Sequence, residues 1–117
     1  MIDVISISKR YLNHVALDNL SFSVEKNDIL GIVGKSGSGK TTLLKLLNLV
    51  EKPTSGQILI DGNATDQLSK AQLSHYKEKI GVVFQHYNLL ANKTVAQNIA
   101  LPLTLVDKKN SKKVAEL

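Results

Sequence analysis

Leu20, Phe22 and Val24 alternate with Ser21 and Ser23, the period-two pattern of a strand with one face in a core. Ile2, Val4 and Ile7 predict an earlier strand, although Ile5 breaks its alternation. Glu25-Lys26-Asn27-Asp28 is a polar turn into Ile29-Leu30-Gly31-Ile32-Val33, an apolar run with β-branched residues that predicts a buried strand. Apolar residues then recur at helical spacing, predicting a helix from about Lys40 to Val50 that stops before Pro53. Thr54-Ser55-Gly56 turns into a strand over Gln57-Ile58-Leu59-Ile60, closed by Asp61-Gly62. A helix is predicted from Ser69 to Lys79, with Ser69 as N-cap and Leu73 and Tyr76 or Lys77 on one face. Ile80-Gly81-Val82-Val83-Phe84 predicts a second buried strand, ending at Gln85. Thr94 caps a helix over Val95–Leu101 that Pro102 interrupts. Asp107-Lys108-Lys109-Asn110 reads as a linker, and a further helix starts at Ser111. Strands and helices mixed in this order place the chain in the α/β class.

Between the first apolar run and its helix stands Gly34-Lys35-Ser36-Gly37-Ser38-Gly39-Lys40-Thr41, a phosphate-binding loop pattern. Strand, glycine-rich turn and helix form the context that such a loop needs. Backbone N–H groups then point inward and the helix N-terminus adds partial positive charge, which suits a polyphosphate. Lys40 can reach the outer phosphates, and the Thr41 hydroxyl can ligate Mg²⁺.

At 117 residues the chain makes one domain at most. It has no cysteine, which excludes disulfides and thiolate metal sites. No apolar stretch reaches the roughly 18 residues of a bilayer span, and Met1-Ile2-Asp3-Val4-Ile5 lacks the basic start of a signal peptide. A soluble, intracellular protein is expected. The net charge of +5 raises the question of nucleic acid, yet aromatic residues make up only 4% of the chain, too few for base-stacking platforms. The cluster Lys108, Lys109, Lys112 and Lys113 reads as a solvated face, and no nucleic-acid partner is expected. His14 and His75 have no partner at metal-ligand spacing, His86 beside Gln85 reads as a structural or surface residue rather than a catalyst, and Asp61, followed by Gly62, reads as a turn former.

Together these residues resemble the ATP-binding subunits of ABC transporters. Tyr11 stands upstream of the loop, where that family places an adenine-stacking aromatic. Gly34 to Thr42 matches its phosphate loop through the Ser-Gly-Ser-Gly-Lys core, with Lys35 an added charge and Thr41-Thr42 replacing the commoner Ser-Thr. Phe84-Gln85 matches the glutamine loop, where the glutamine touches Mg²⁺ and the attacking water. Two further stretches resemble methionine-import ATP-binding proteins: Asn48 to Gly56, and Phe84 to Leu90 with Lys93-Thr94-Val95 and Ala100-Leu101-Pro102-Leu103. Polar-amino-acid importers and lipoprotein exporters share parts of both.

The resemblance implies the N-terminal half of an ABC ATPase fold, with antiparallel strands and a partial core sheet, over residues 1–117. It implies ATP and Mg²⁺ as cofactors, bound by Tyr11, Gly34, Lys35, Ser36, Gly37, Ser38, Gly39, Lys40, Thr41 and Thr42. Lys40 and Gln85 would act in catalysis, and Thr41 and Gln85 on the metal. A membrane permease, a second ATPase subunit and, indirectly, a substrate-binding protein would be partners, on the cytoplasmic face of a membrane. The Leu-Ser-Gly-Gly-Gln signature, the catalytic Glu and the switch His do not occur in these residues. A truncated domain that binds ATP without hydrolysing it is therefore expected. A phosphoryl transferase on the same loop is the rival reading, whereas a GTPase is disfavoured because Asn92-Lys93-Thr94-Val95 lacks the base-reading Asp.

Overall fold

Two antiparallel strands, β1 (Ile2–Tyr11) and β2 (His14–Val24), form a hairpin around Leu12-Asn13 in the computed structural model, which describes residues 1–106. β3 (Ser55–Ile60) pairs antiparallel with the other edge of β1. β4 (Asn63–Ala64), a two-residue strand absent from the sequence pattern, pairs with β3 and gives the order β2-β1-β3-β4. Asp61 and Gly62, at φ 49° and 78°, make the two-residue turn between them, as the Asp-Gly pair predicts. The terminal ammonium of Met1 lies 2.9 Å from Asp61 Oδ1, and the Asp61 N–H donates to the Met1 carbonyl at 2.9 Å.

The broken alternation at Ile5 has a structural cause. Pairing of β1 with β2 shifts register between Val4 and Ile7, and Ser6 lies in the left-handed region at φ 47°. Val4 and Ile7 are both buried, while Ile5 is half-exposed. Opposite the bulge stands Gly56, at φ 82°, where a Cβ would fall 2.3 Å from the Ser6 carbonyl oxygen. No side chain fits there, so glycine lets β3 close on the bulged strand.

α1 (Lys40–Leu47) lays Leu43 and Leu46 on this sheet. They join Val4, Ile7, Leu17 and Ile58 in one core, with Ile2, Leu20, Phe22 and Leu47 packed against it. The helix ends three residues before the predicted Val50. Val50 N–H bonds the Lys45 carbonyl at 2.9 Å and Leu49 N–H the Leu46 carbonyl at 3.0 Å, with Leu49 at φ 56°. This is a Schellman ending with leucine where glycine is usual. Leu49 is 9% exposed, and burial of its side chain offsets the cost of the left-handed backbone. α2 (Lys70–Glu78) starts at Ser69 as expected, and Gln72 completes a capping box, its side chain accepting from the Ser69 N–H at 2.9 Å. Leu73 and Tyr76 are half-buried, whereas Lys77 is exposed.

The predicted strands over 29–33 and 80–84 do not form. Among the described residues no backbone ladder reaches either run, and Ile29, Val33 and Val83 are almost fully exposed. A strand exists only through hydrogen bonds to a neighbour, and apolar composition supplies none of them.

The described residues 81–106 belong to a second compact unit, Met1–Ile80 being the first. The second unit contains α3 (Val95–Val106). Thr94 caps it as predicted, with Gln97 reciprocating: Gln97 N–H reaches Thr94 Oγ1 at 3.2 Å and Thr94 N–H reaches Gln97 Oε1 at 3.0 Å. Pro102 sits inside the helix and does not interrupt it. Its ring removes a single backbone donor, and the turns on either side carry the helix through. The Asn98 amide ties the preceding loop to this helix, donating to the carbonyls of Leu90, Lys93 and Thr94. The predicted linker at 107–110 and the helix from Ser111 lie outside the described residues.

Candidate functional site

The loop from Gly34 to Gly39 enters α1 through Gly39, which serves as N-cap in the left-handed region at φ 91°. A Cβ on Gly39 would stand 2.4 Å from the Ala16 carbonyl oxygen and 2.9 Å from Leu17 Cδ2. Close packing of the helix start on β2 therefore requires glycine at this position. The Gly39 carbonyl accepts from the Leu43 N–H at 2.8 Å, the first bond of the helix. No acidic residue occupies the first turn, so the positive end of the helix dipole is not neutralised from within the helix.

Lys40 folds back over its own loop. Its Nζ donates to the carbonyls of Gly34 at 2.6 Å and Lys35 at 2.7 Å, and to Ser38 Oγ at 3.3 Å. The Ser38 N–H donates to the Lys35 carbonyl at 3.2 Å, tightening the turn. Residues 34–38 are exposed, as is Thr41 in the first turn of α1, while Thr42 is half-buried. The result is a solvent-facing ring with a cation seated in it and a helix N-terminus behind it. An arrangement of this kind binds oxyanions through backbone donors and one movable positive charge.

Tyr11 is the last residue of β1, and Lys9, two residues before it, pairs with Leu17, the residue that meets Gly39. The same hairpin therefore carries both the aromatic and the support for the loop. Tyr11 donates its hydroxyl to Glu51 Oε2 at 2.5 Å. Lys9 Nζ lies 3.1 Å from that carboxylate and Lys45 Nζ 3.3 Å from its other oxygen. The Tyr11 hydroxyl first, then Lys9 and Lys45, pull the Glu51 carboxyl from its ordinary 4.5 down to about 2. Sequence reading missed this cluster, because Glu51 lies beyond the end of α1, where helical spacing no longer says which side chains meet.

Gln85 lies in the second unit, exposed and in a bend. His86 beside it is likewise exposed. Among the described residues no group of three His, Cys, Asp or Glu side chains could enclose a metal ion, and no helix is long and apolar enough to cross a membrane.

The model of the ABC transporter family matches residues 17–117. The methionine import ATP-binding protein MetN of Mannheimia succiniciproducens is 49% identical over 102 residues, 87% of this chain and 29% of the relative. MetN of Staphylococcus haemolyticus is 43% identical over 109 residues, 90% of this chain and 32% of the relative. The chain thus spans less than a third of the length of these relatives. Among solved structures, the dimeric bacterial ABC transporter cassette MJ0796 superposes with a TM-score of 0.79 at 34% identity, over 90% of this chain and 47% of that one. The post-hydrolysis state of MJ0796 bound to ADP and Pi gives a TM-score of 0.81 at 31% identity, over 99% of this chain and 55% of that one. With its glycine-rich loop, its lysine and its antiparallel sheet in place, the chain belongs to the ABC transporter family.

Proposed function

We propose that this chain is the nucleotide-binding part of an ATPase subunit that drives uptake of a small amino acid, methionine, through a membrane permease. The observation that carries the reading is the seat of Lys40 within its own loop, at a helix start that carries no acid. An ATP triphosphate offers oxygens for the loop amides and for the Lys40 ammonium, which exchanges carbonyl partners for phosphate ones. Tyr11 offers its ring to the adenine. Relatives named as methionine import ATP-binding proteins support the choice of solute.

The exposed Thr41 hydroxyl suits Mg²⁺, which keeps waters and phosphate oxygens in its shell and needs few protein ligands. Mg²⁺, when bound, neutralises charge developing on the phosphates. Lys40 and the loop amides stabilise the same charge from the protein side. A second ATPase subunit completes the site, in keeping with the dimeric form of the MJ0796 cassette. The permease and a substrate-binding protein complete the transporter, with the ATPase peripheral on the cytoplasmic face. By itself the chain binds nucleotide and does not turn it over.

Lys40→Ala in the intact protein tests this reading. A hydrogen bond to a charged group contributes about 1.5–3 kcal/mol, so Mg-ATP affinity should fall roughly ten- to a hundredfold by titration calorimetry. Uptake of labelled methionine in cells relying on the variant should fall with it. Unchanged affinity removes the phosphate loop from the site; lost affinity with methionine uptake intact removes the solute.

A further inference from the structure

The proposed ATP site leaves one cluster of side chains unexplained. Glu51 receives the Tyr11 hydroxyl on one oxygen and Lys9 on the same side, while Lys45, from α1, reaches the other oxygen. Lys9 Nζ also donates to the Lys52 carbonyl at 2.7 Å and stands over the Tyr11 ring, 5.1 Å from its centroid. Two hydrogen bonds hold the segments together: Arg10 N–H donates to the Thr54 side-chain Oγ1 at 3.0 Å and Thr54 N–H to the Ser8 carbonyl at 2.8 Å. One face of the ring is thus taken by an ammonium and its hydroxyl is anchored, yet the residue stays 38% exposed.

Ion pairs at the surface contribute little to folding. Lys9 and Glu51 are partly covered at 15% and 25% exposed, and Lys45 is 49% exposed, so stability alone is a weak explanation for three partners converging on one carboxylate. Their geometric effect is larger. A tyrosine free to rotate must be immobilised when a base stacks on it, whereas one already held by its hydroxyl loses less freedom on binding. Glu51 links that hydroxyl to Lys45, hence to the helix whose first turn ends the phosphate loop.

Resting on the nucleotide-binding reading above, we propose that Glu51 is a positioning residue for the nucleotide base: it fixes the Tyr11 ring relative to the phosphate-loop helix, through the Tyr11 hydroxyl on one side and Lys45 on the other. Lys9 supports the same ring from its face and adds a cation–π attraction. The carboxylate itself touches no part of the nucleotide.

The test compares Mg-ATP with Mg-tripolyphosphate, which carries the phosphates without a base, on the intact protein by titration calorimetry. Glu51→Gln should weaken Mg-ATP roughly two- to tenfold, the scale of one side chain's ordering, and leave tripolyphosphate unchanged. Tyr11→Phe keeps the ring and removes only the anchored hydroxyl, with no demand on folding, and should reproduce that loss. Glu51→Gln weakens the contact that Tyr11→Phe removes, so adding Glu51→Gln to Tyr11→Phe should cost less than Glu51→Gln costs alone. Equal losses for ATP and tripolyphosphate, or no loss for either, or a Tyr11→Phe variant as tight as the unaltered protein, would overturn the positioning role. If the unaltered protein binds neither compound, the phosphate-loop reading falls and this one with it. Normal ATP binding that is insensitive to Glu51→Gln sinks the positioning role alone.

Discussion

Gln57-Ile58-Leu59-Ile60 and Ile29-Leu30-Gly31-Ile32-Val33 look alike in sequence, short apolar runs rich in β-branched residues, yet they have opposite fates. The first is the body of β3, with Ile58 only 2% exposed. The second forms no strand, and its Ile29 and Val33 are 99% and 94% exposed. What separates them is a neighbour. β3 has the free edge of β1 beside it and α1 above the shared core, whereas no described residue offers the other run a ladder. Apolar residues make a segment willing to be a buried strand; an adjacent backbone makes it one.

The largest expected effect sets the two regions against each other. Ile7→Ala, in the β1 core where the side chain is 0% exposed, should destabilise the chain by about 2–5 kcal/mol in urea unfolding. Val33→Ser should stay within about 0.5 kcal/mol. Equal costs at both positions would mean that the exposed run has a partner and that the contrast is false.

Gly56→Ala attacks the pairing that made β3 a strand. A left-handed backbone at φ 82° with a Cβ 2.3 Å from the Ser6 oxygen should cost about 2–3 kcal/mol by the same measurement. A neutral substitution would show that the bulge yields easily and that β3 holds by its side chains alone.

The smallest effect concerns the ties along β1 that the exposed run lacks. The Glu51 carboxyl is lowered from 4.5 to about 2 by Tyr11, Lys9 and Lys45, and the Met1 ammonium lowers Asp61 below its ordinary 3.8. Both groups hold their protons less firmly when folded. Their stabilisation is therefore full above about pH 4.5 and fades as pH falls toward 2. Both are surface ties, so the slope should be shallow. Urea midpoints followed from pH 6 down to about 2 should fall less steeply in Glu51→Gln than in the unaltered chain; parallel curves would leave the cluster without influence on folding.

Legibility in the sequence followed the range of the interaction that decides each feature. Ser69 and Thr94 were readable as caps because a cap satisfies donors within a few residues of itself. The phosphate loop was readable for the same reason: its glycines, Lys40 and helix start lie within one short stretch. The strands at 29–33 and 80–84 were misread because partners distant in sequence decide them. β4 escaped notice because two residues carry no periodicity. Pro102 misled because a rule about one lost donor says nothing about the turns around it. Glu51 was invisible because Tyr11 is 40 residues away from it, and nothing at Glu51 itself advertises that meeting.

The slip at Ser6 reverses the phase of β1. Ahead of it the even-numbered Ile2 and Val4 face the core; beyond it the odd-numbered Ile7 does, and Lys9 and Tyr11 follow the same parity toward Glu51. An unbulged strand of the same sequence would turn Arg10 toward Glu51 and send Tyr11 to the opposite side. Which way the aromatic points is thus encoded five positions upstream of it, in a one-residue offset accommodated by the missing side chain of Gly56. Length in this stretch matters as much as identity: a single residue lost or gained between Val4 and Ile7 would leave the side chains from Ile7 to Tyr11 unchanged and still turn the ring away from Glu51.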